Sequence, residues 1–271
     1  MVRLAVGTWG SSPSQLLCAG GYPTFPSDPS EEEKPLRKKL LGALVAGAGL
    51  LVLAQVAFGA VTVAFNASVS PAKAGKPTGL NTHIAASDSA APQPPIMNRI
   101  VIKLNAGGQY NGSKFPKCTT SILQSKGPSG CPKGSKIGSG SGVGYAKPVV
   151  TDPVNAKLTI FNGGNTILVF VLPDLGPTFV TVGKIIHKKD GPFDYTLDFT
   201  IPPIKTLPSA PDASVGTVDT KTKKQFIKKG KKKYSLIVAP KKCTGTWKAE
   251  GDFYFADGSV VKTPVSSKCK K

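Results

Sequence analysis

Short apolar runs, separated by turn residues, constrain the fold of this chain more than any other feature. The run "RIVIKLNAG" places Ile100, Ile102 and Leu104 at every second position, which is the period of a half-buried strand. "AKLTIFNGG", "TFVTVGKII", "FDYTLDFTI" and "YSLIVAP" read as further strands, and the continuously apolar "NTILVFVLPDLG" predicts a strand buried on both faces. The 30 glycines and 24 prolines fall mostly between these runs. We therefore expect an all-β domain, a sandwich or a barrel, with a β-sandwich-like fold favoured.

One segment departs from the strand pattern. In "TTSILQSK", residues 119–126, a threonine stands where a helix cap is expected and Gly127-Pro128 follows as a stop signal. This segment is the one helix that we predict beyond residue 65.

The N-terminus predicts export. Residues 40–65 carry no charged side chain and follow Lys34, Arg37, Lys38 and Lys39, an arrangement typical of an export signal. We assign residues 36–60 to a signal peptide or membrane anchor, and favour cleavage after Gly59 or Ala60, while an uncleaved helix long enough to span a bilayer stays open. Residues 1–35 are a disordered tail or precede the true start, which we place near Leu36. Residues 61–271 then form a single all-β domain outside the cytoplasm, secreted or at the cell envelope.

Four cysteines lie in the exported part: Cys118, Cys131, Cys243 and Cys269. A zinc site needs closely spaced ligand pairs, which are missing, and a catalytic cysteine needs a histidine partner, whereas neither of the chain's 2 histidines is near a cysteine in sequence. An even number of cysteines in an oxidising compartment instead predicts disulfides. Four cysteines allow three connectivities, and local context favours Cys118–Cys131 and Cys243–Cys269.

The C-terminal segment supports the second pair. Asp257-Gly258 lies between two alternating runs and is a strong hairpin signal, and a hairpin folded there brings Cys243 and Cys269 level. On the chain-entropy account, a disulfide at that point contributes roughly 3–4 kcal/mol. Alternation puts the large apolar groups on one face, which we expect to point inward: Trp247, Ala249, Gly251, Phe253 and Phe255. The opposite face carries Lys248, Glu250, Asp252 and Tyr254.

Two motifs together resemble a family of uncharacterised exported proteins of high-GC actinobacteria. They are "FPKCTTSILQSKGPSGCPKGSKIGSGSG" and "CTGTWKAEGDFYFADGSVVKTPVSSKC", with "FNGG" between them. The positions that carry the resemblance are Phe115, Pro116, Cys118, Cys131, Pro132, Ser135, Ile137, Gly138, Gly140, Phe161, Asn162, Gly163, Gly164, Cys243, Trp247, Phe255, Asp257, Gly258 and Cys269. Members of the family often have proline after the cysteine that precedes the tryptophan strand, where this chain has Thr244. The resemblance implies a secreted sandwich-like fold and no catalytic residues.

Positive charge is the remaining functional signal. The whole chain has 35 Lys plus Arg against 15 Asp plus Glu. "QFIKKGKKKYSLIV" predicts a hairpin whose tip at Gly230 carries Lys228, Lys229, Lys231, Lys232 and Lys233, hereafter the lysine tip. These lysines are a solubilising surface or the protection of an edge strand, or they bind a polyanion such as an anionic wall polymer or lipid head groups. We expect no nucleic-acid partner, because export removes the chain from the chromosome and no aromatic residues alternate with the lysines. Membrane contact is expected only through the N-terminal helix, if that is uncleaved.

Nothing in the sequence marks catalysis. The aspartates fall mainly in turns, and His187, beside Lys188 and Lys189, is expected in a solvated loop. "GSGSGVG", residues 138–144, fits neither phosphate-binding glycine motif and is expected to be a turn or a bulged strand. We therefore predict a non-enzymatic structural or adhesive protein without cofactor or metal. The alternatives are a lysine-rich module for an anionic polymer and, less favoured, a hydrolase.

Overall fold

The computed structural model describes residues 61–207 and 209–271. The signal or anchor segment predicted over residues 36–60, and the tail before it, lie outside the described residues. Among those described, no helix combines the length and apolar character needed to cross a bilayer.

In the described residues, alternating apolar residues and glycine- or proline-containing turns produce a series of strands with one α-helix. The strands in the described residues are β1 (Val61–Ser70), β2 (Gly79–Asp88), β3 (Met97–Asn105), β4 (Gln109–Tyr110), β5 (Lys136–Ala146), β6 (Val150–Asn162), β7 (Thr166–Pro173), β8 (Phe179–Asp190), β9 (Phe193–Thr200), β10 (Ser214–Thr222), β11 (Phe226–Lys229), β12 (Lys232–Ser235), β13 (Ile237–Val238), β14 (Thr246–Phe255) and β15 (Val260–Lys268). The all-β prediction is confirmed.

Eleven strands form one antiparallel sheet in the order β1-β2-β10-β5-β6-β7-β8-β9-β3-β14-β15. The sheet curls until its two edge strands lie side by side, where the Thr263 hydroxyl donates to the Val63 carbonyl at 3.1 Å. Beyond the strand ends, the Lys270 amide donates to the Ala72 carbonyl at 2.8 Å. Opposite walls of this one sheet thus face each other across a shared interior, as the two sheets of a sandwich do.

The connections fall at two ends of the curled sheet. We call one the mouth end; it comprises residues 89–96, 147–149, 174–178, the link between β9 and β10, and 256–259. The other, the lysine end, comprises residues 71–78, 106–135, 163–165, 191–192, 223–245 and 269–271. The strand pairing places Val61, where β1 begins, at the mouth end, since Val61 pairs with Asp88 at the end of β2.

Part of the interior is tightly packed. Large side chains from β1 and β14 meet at its centre, where the rings of Phe65 and Phe253 pack edge to face with centroids 5.6 Å apart. Trp247 is 5%, Phe253 0% and Phe255 2% exposed, so the predicted inward face of β14 is confirmed. The same cluster includes Val63, Ile84, Ile100 and Ile102.

The predicted helix is confirmed as α1 (Thr120–Lys126). Its cap is Thr119, whose hydroxyl accepts a hydrogen bond from the Ile122 amide at 3.2 Å. Leu123 of α1 packs with Leu168 and Phe170 on the outer face of β7, while the alternate residues of β7 face the interior. The strand is therefore covered on both faces, as its continuously apolar sequence predicts.

Both favoured disulfides are present. Cys118 bonds to Cys131 with Cα atoms 5.2 Å apart, and Cys243 bonds to Cys269 with Cα atoms 5.9 Å apart. Both lie at the lysine end. The β14–β15 hairpin turns at Asp257-Gly258, where the Asp257 carboxylate accepts from the Ser259 amide at 2.8 Å.

Candidate functional site

Beside the packed core, the interior contains a cavity of about 520 Å³. Its walls are the inward faces of most strands of the sheet, and its lining is dominated by valine, isoleucine, leucine and alanine. Representative wall residues are Ile102, Leu104, Val154, Ala156, Leu158, Ile167, Val169, Val171, Leu197, Phe199 and Val218. The volume lies within the range of small-molecule binding pockets, about 300–1,000 Å³.

A row of glycines lies on the inner face of β5, and two of them line this space. Gly138, Gly140, Gly142 and Gly144 pair with Ile160, Leu158, Ala156 and Val154, the inward residues of β6, so all four glycines lie on the inner face. A Cβ atom at Gly138 or Gly140 would collide with backbone carbonyls of β10, whereas Gly142 and Gly144 line the cavity. The register of β5 shifts near both of its ends. The segment "GSGSGVG" thus forms an irregular strand. The prediction of a bulged strand is confirmed and the alternative, a turn, is wrong.

The cavity reaches the surface at the mouth end, and its lining also extends to exposed residues near the lysine end, Gln109 and Lys248. There the lining includes Val149 of the β5–β6 turn, Leu175 of the β7–β8 turn and Leu207 of the β9–β10 link. The charged neighbours Lys205 and Asp212 pair with each other at 2.9 Å, so they do not leave an uncompensated charge at the entrance. The entrance is therefore apolar and close to neutral.

At the lysine end, a buried polar network holds the chain across the bottom of the interior. The Asn162 side chain is 0% exposed and makes four hydrogen bonds. It accepts from the Tyr110 hydroxyl at 2.6 Å and from the Gly164 amide, and donates to the carbonyls of Gly112 and Pro116. Burial raises the pKa of Tyr110, which keeps the phenol protonated as a donor. β4 pairs with β13 beside this network.

The surface of the cavity is mostly apolar. The charged residues that line the cavity are Lys205 and Lys248, and both are exposed. The Ser214 hydroxyl, on a lining residue that is 1% exposed, has no hydrogen-bond partner among the described residues. No group of three or more histidine, cysteine or acidic side chains suited to a metal occurs in the described part of the chain. What the arrangement offers is apolar contact surface.

On the outer face of the sheet, one lysine contacts two acidic side chains. Lys103 contacts Glu250 at 2.7 Å and Asp252 at 3.4 Å, and the hydrogen bond to Glu250 raises the lysine pKa. Nearby, Arg99 donates two hydrogen bonds of 2.8 Å to Asp198 and lowers the pKa of that carboxyl. These ion pairs tie β3 to β9 and β14 and do not face the cavity.

The lysine tip forms the predicted hairpin. Lys228 pairs with Lys233 and Lys229 pairs with Lys232, on strands β11 and β12, with Gly230 in the turn at φ 59°. Like charges therefore face each other directly, and the Lys233 ammonium lies 4.3 Å from the centre of the Phe226 ring. Polyanion binding by this tip stays a prediction.

Charge is segregated between the two ends. The connecting segments of the lysine end contain 17 lysines and no acidic residue, whereas those of the mouth end contain 2 lysines and 3 aspartates. The five lysines of the tip are therefore part of a larger basic surface. This surface lies at the opposite end of the curled sheet from the cavity entrance.

The prediction that His187 lies in a loop is wrong. This residue lies on β8, which continues to Asp190, and its ring stacks on Tyr195 of β9 with centroids 4.3 Å apart. It remains exposed, but the turn is confined to Gly191-Pro192 because the β8–β9 ladder extends further than the basic residues suggested.

The residues that carry the family resemblance have structural roles here. Phe115, Ser135, Ile137, Phe161 and Asn162 are all buried, and they hold the loops of the lysine end against the sheet. The Trp247 indole donates to the Lys242 carbonyl at 2.8 Å.

Sequence reasoning missed the cavity. The available signal was the run of glycines at alternate positions of β5, which leaves the inner face of a central strand without side chains.

Comparison of the chain with family models, curated proteins and solved structures finds no match.

Proposed function

We propose that this domain is a non-enzymatic carrier that holds the apolar chain of a small amphiphile, such as a lipid or an isoprenoid. The observation that supports the proposal is the apolar cavity of about 520 Å³ enclosed by the sheet and open at the mouth end.

Water is a poor occupant for such a space. By volume the cavity would hold roughly 17 water molecules at about 30 Å³ each. The walls present few polar groups, so most of those waters would lack protein partners. An alkyl chain gains about 0.8 kcal/mol for every methylene that it buries, and it needs no hydrogen bonds.

The shape suits a molecule with one apolar and one polar part. No charged side chain lies buried in the cavity to pair with an ionic head group, and both charged lining residues are exposed. The polar head of the ligand would therefore stay in solvent at the entrance, near Lys205, while the chain lies between β6 and β9.

The proposed location is outside the cytoplasm, at the cell envelope or secreted. The two disulfides are consistent with an oxidising compartment. A carrier role there is compatible with the exported, non-enzymatic protein expected from the sequence, and a structural or adhesive role stays a prediction.

A chain-length series tests the carrier function. A fluorescent fatty acid is bound to the protein and displaced by saturated fatty acids of about eight to about eighteen carbons. We expect affinity to rise about fourfold per methylene until the cavity is filled, and then to level off. A flat dependence on chain length would refute the proposal.

A matched pair of variants locates the binding. Ala156 points into the cavity and the exposed Asn155 precedes it on β6, so Ala156→Phe obstructs the space whereas Asn155→Phe places the same ring outside. Loss of displacement in the first variant alone is the expected result. Equal binding by both variants would mean that the probe occupies another surface.

The basic surface supports a second candidate function, the binding of an anionic polymer. Seventeen lysines without an acidic residue on the connections of one end favour attraction to polyphosphate or wall polymer that weakens as salt screens it. Replacement of the five lysines of the tip by glutamine should reduce polyphosphate binding more, per charge removed, than the control Lys147→Gln/Lys157→Gln/Lys205→Gln. Equal reductions per charge would assign binding to net charge and not to the tip.

A further inference from the structure

The structure points to a docking surface for a lipid bilayer at the mouth end, and this assignment deepens the proposed carrier function by naming the membrane as the source of the ligand. Exposed apolar side chains carry the argument. Leu175 is 60%, Leu207 53%, Leu172 46% and Val149 38% exposed, and all four come from the turns or strand ends of the mouth end. We call these four residues the rim.

The rim surrounds the route into the cavity. Val149, Leu175 and Leu207 belong both to the rim and to the cavity lining, so one continuous apolar surface runs from the outside of the protein to its interior. An acyl chain that leaves a bilayer through the rim would remain in contact with apolar side chains throughout. Exposed apolar patches next to a pocket are typical of interaction surfaces.

The distribution of charge favours this end for insertion. Burial of an unpaired ammonium group in the apolar layer is costly, and the mouth end contributes only 2 lysines, one of which is paired with Asp212. The lysine end could not insert without burying many charges. It is suited instead to a solvated polyanion on the side away from the bilayer.

Depth-dependent quenching tests the assignment in the full chain. Single variants Leu175→Trp and Leu207→Trp report on the rim, and Lys231→Trp reports on the lysine end. Each is mixed with phosphatidylcholine vesicles whose acyl chains are brominated, and its emission is compared with that in unbrominated vesicles. The native tryptophans give the same background in all three.

We expect both rim tryptophans to shift to shorter wavelength and to lose most of their emission in brominated vesicles, while the tryptophan at position 231 is unaffected. Stronger quenching at position 231, or no quenching at positions 175 and 207, would overturn the assignment. A wavelength shift that occurs without vesicles, together with dimerisation, would overturn it in favour of a second copy covering the rim.

A transfer assay separates this inference from the carrier function. The variant Leu172→Ser, at the rim residue that does not line the cavity, should take up a fluorescent fatty acid from solution as the parent does, but should extract it from vesicles more slowly. Normal extraction would refute the bilayer contact and leave the carrier function intact. Loss of uptake from solution by Ala156→Phe, tested separately, bears on the carrier function alone.

Discussion

A substitution that fills the cavity should stabilise the protein, and Ala156→Leu is the sharpest case. Ala156 lies on the inner face of β6 between Gly142 of β5 and Pro173 of β7, and it lines the cavity. Leucine adds three carbon atoms at this point. At about 0.8 kcal/mol for each buried methylene, the free energy of unfolding should rise by about 2 kcal/mol.

The sign of the effect distinguishes an open cavity from a filled core. In a well-packed interior the same substitution would be overpacked and would destabilise the protein by about 1–3 kcal/mol. For a domain of this size, a gain of about 2 kcal/mol raises the Tm by roughly 4–8 °C. The Gly142 position opposite has no side chain, so there is room for the larger residue to enter.

The assay is urea and thermal unfolding of protein refolded after removal of bound lipid, followed by circular dichroism. Asn155→Leu is the control, since it adds the same side chain at an exposed position and should change stability by less than about 0.5 kcal/mol. Ala156→Leu should also move the plateau of the chain-length series to ligands about three carbons shorter, because each added carbon displaces one of the ligand's. Destabilisation by Ala156→Leu, or an unchanged plateau, would refute the cavity as the binding site.

Three further predictions concern the fold. Phe253→Ala should destabilise the domain by about 3–5 kcal/mol, because Phe253 is fully buried against Phe65, whereas Lys248→Ala, which removes an exposed side chain, should have little effect in the same urea titration. Asn162→Ala should lower the Tm by roughly 6 °C or more, because it leaves buried partners of four hydrogen bonds unpaired; a change smaller than that of an exposed control would contradict the assigned network. Since Arg99 lowers the pKa of Asp198 in the folded state, this pair contributes stability above the ordinary aspartate pKa of about 3.9, and the contribution is lost as the pH falls through the lower folded-state pKa. Arg99→Gln should therefore weaken the decline of stability in acid, and identical acid limbs in the two proteins would argue against that linkage.

Local sequence determines several features of this protein. The α1 helix follows from the Thr119 cap and the Gly127 stop, and the last hairpin follows from Asp257-Gly258 between alternating strands. The two disulfides join cysteines that are only 13 and 26 residues apart in the sequence. These features could be predicted because the interactions that fix them lie within a short stretch of chain.

The order of the strands was decided only by the tertiary structure. β10 inserts between β2 and β5, and β3 inserts between β9 and β14, so the sheet combines segments far apart in the sequence. Alternation predicts that a strand has one buried face, but it contains no information about which strand will lie beside it. The meeting of β1 with β15, which encloses the interior, depends on this order.

The cavity depends on both the local sequence and the tertiary structure. The residues of "GSGSGVG" are compatible with a turn as long as only local preferences are considered, because glycine is favoured there. In the folded protein they form a strand between β6 and β10, and Gly142 and Gly144 of this strand line the cavity. The sequence determined that these positions lack side chains. The enclosed space itself depends on the closing of the sheet. A missing side chain leaves a cavity only where the surrounding walls cannot collapse into it.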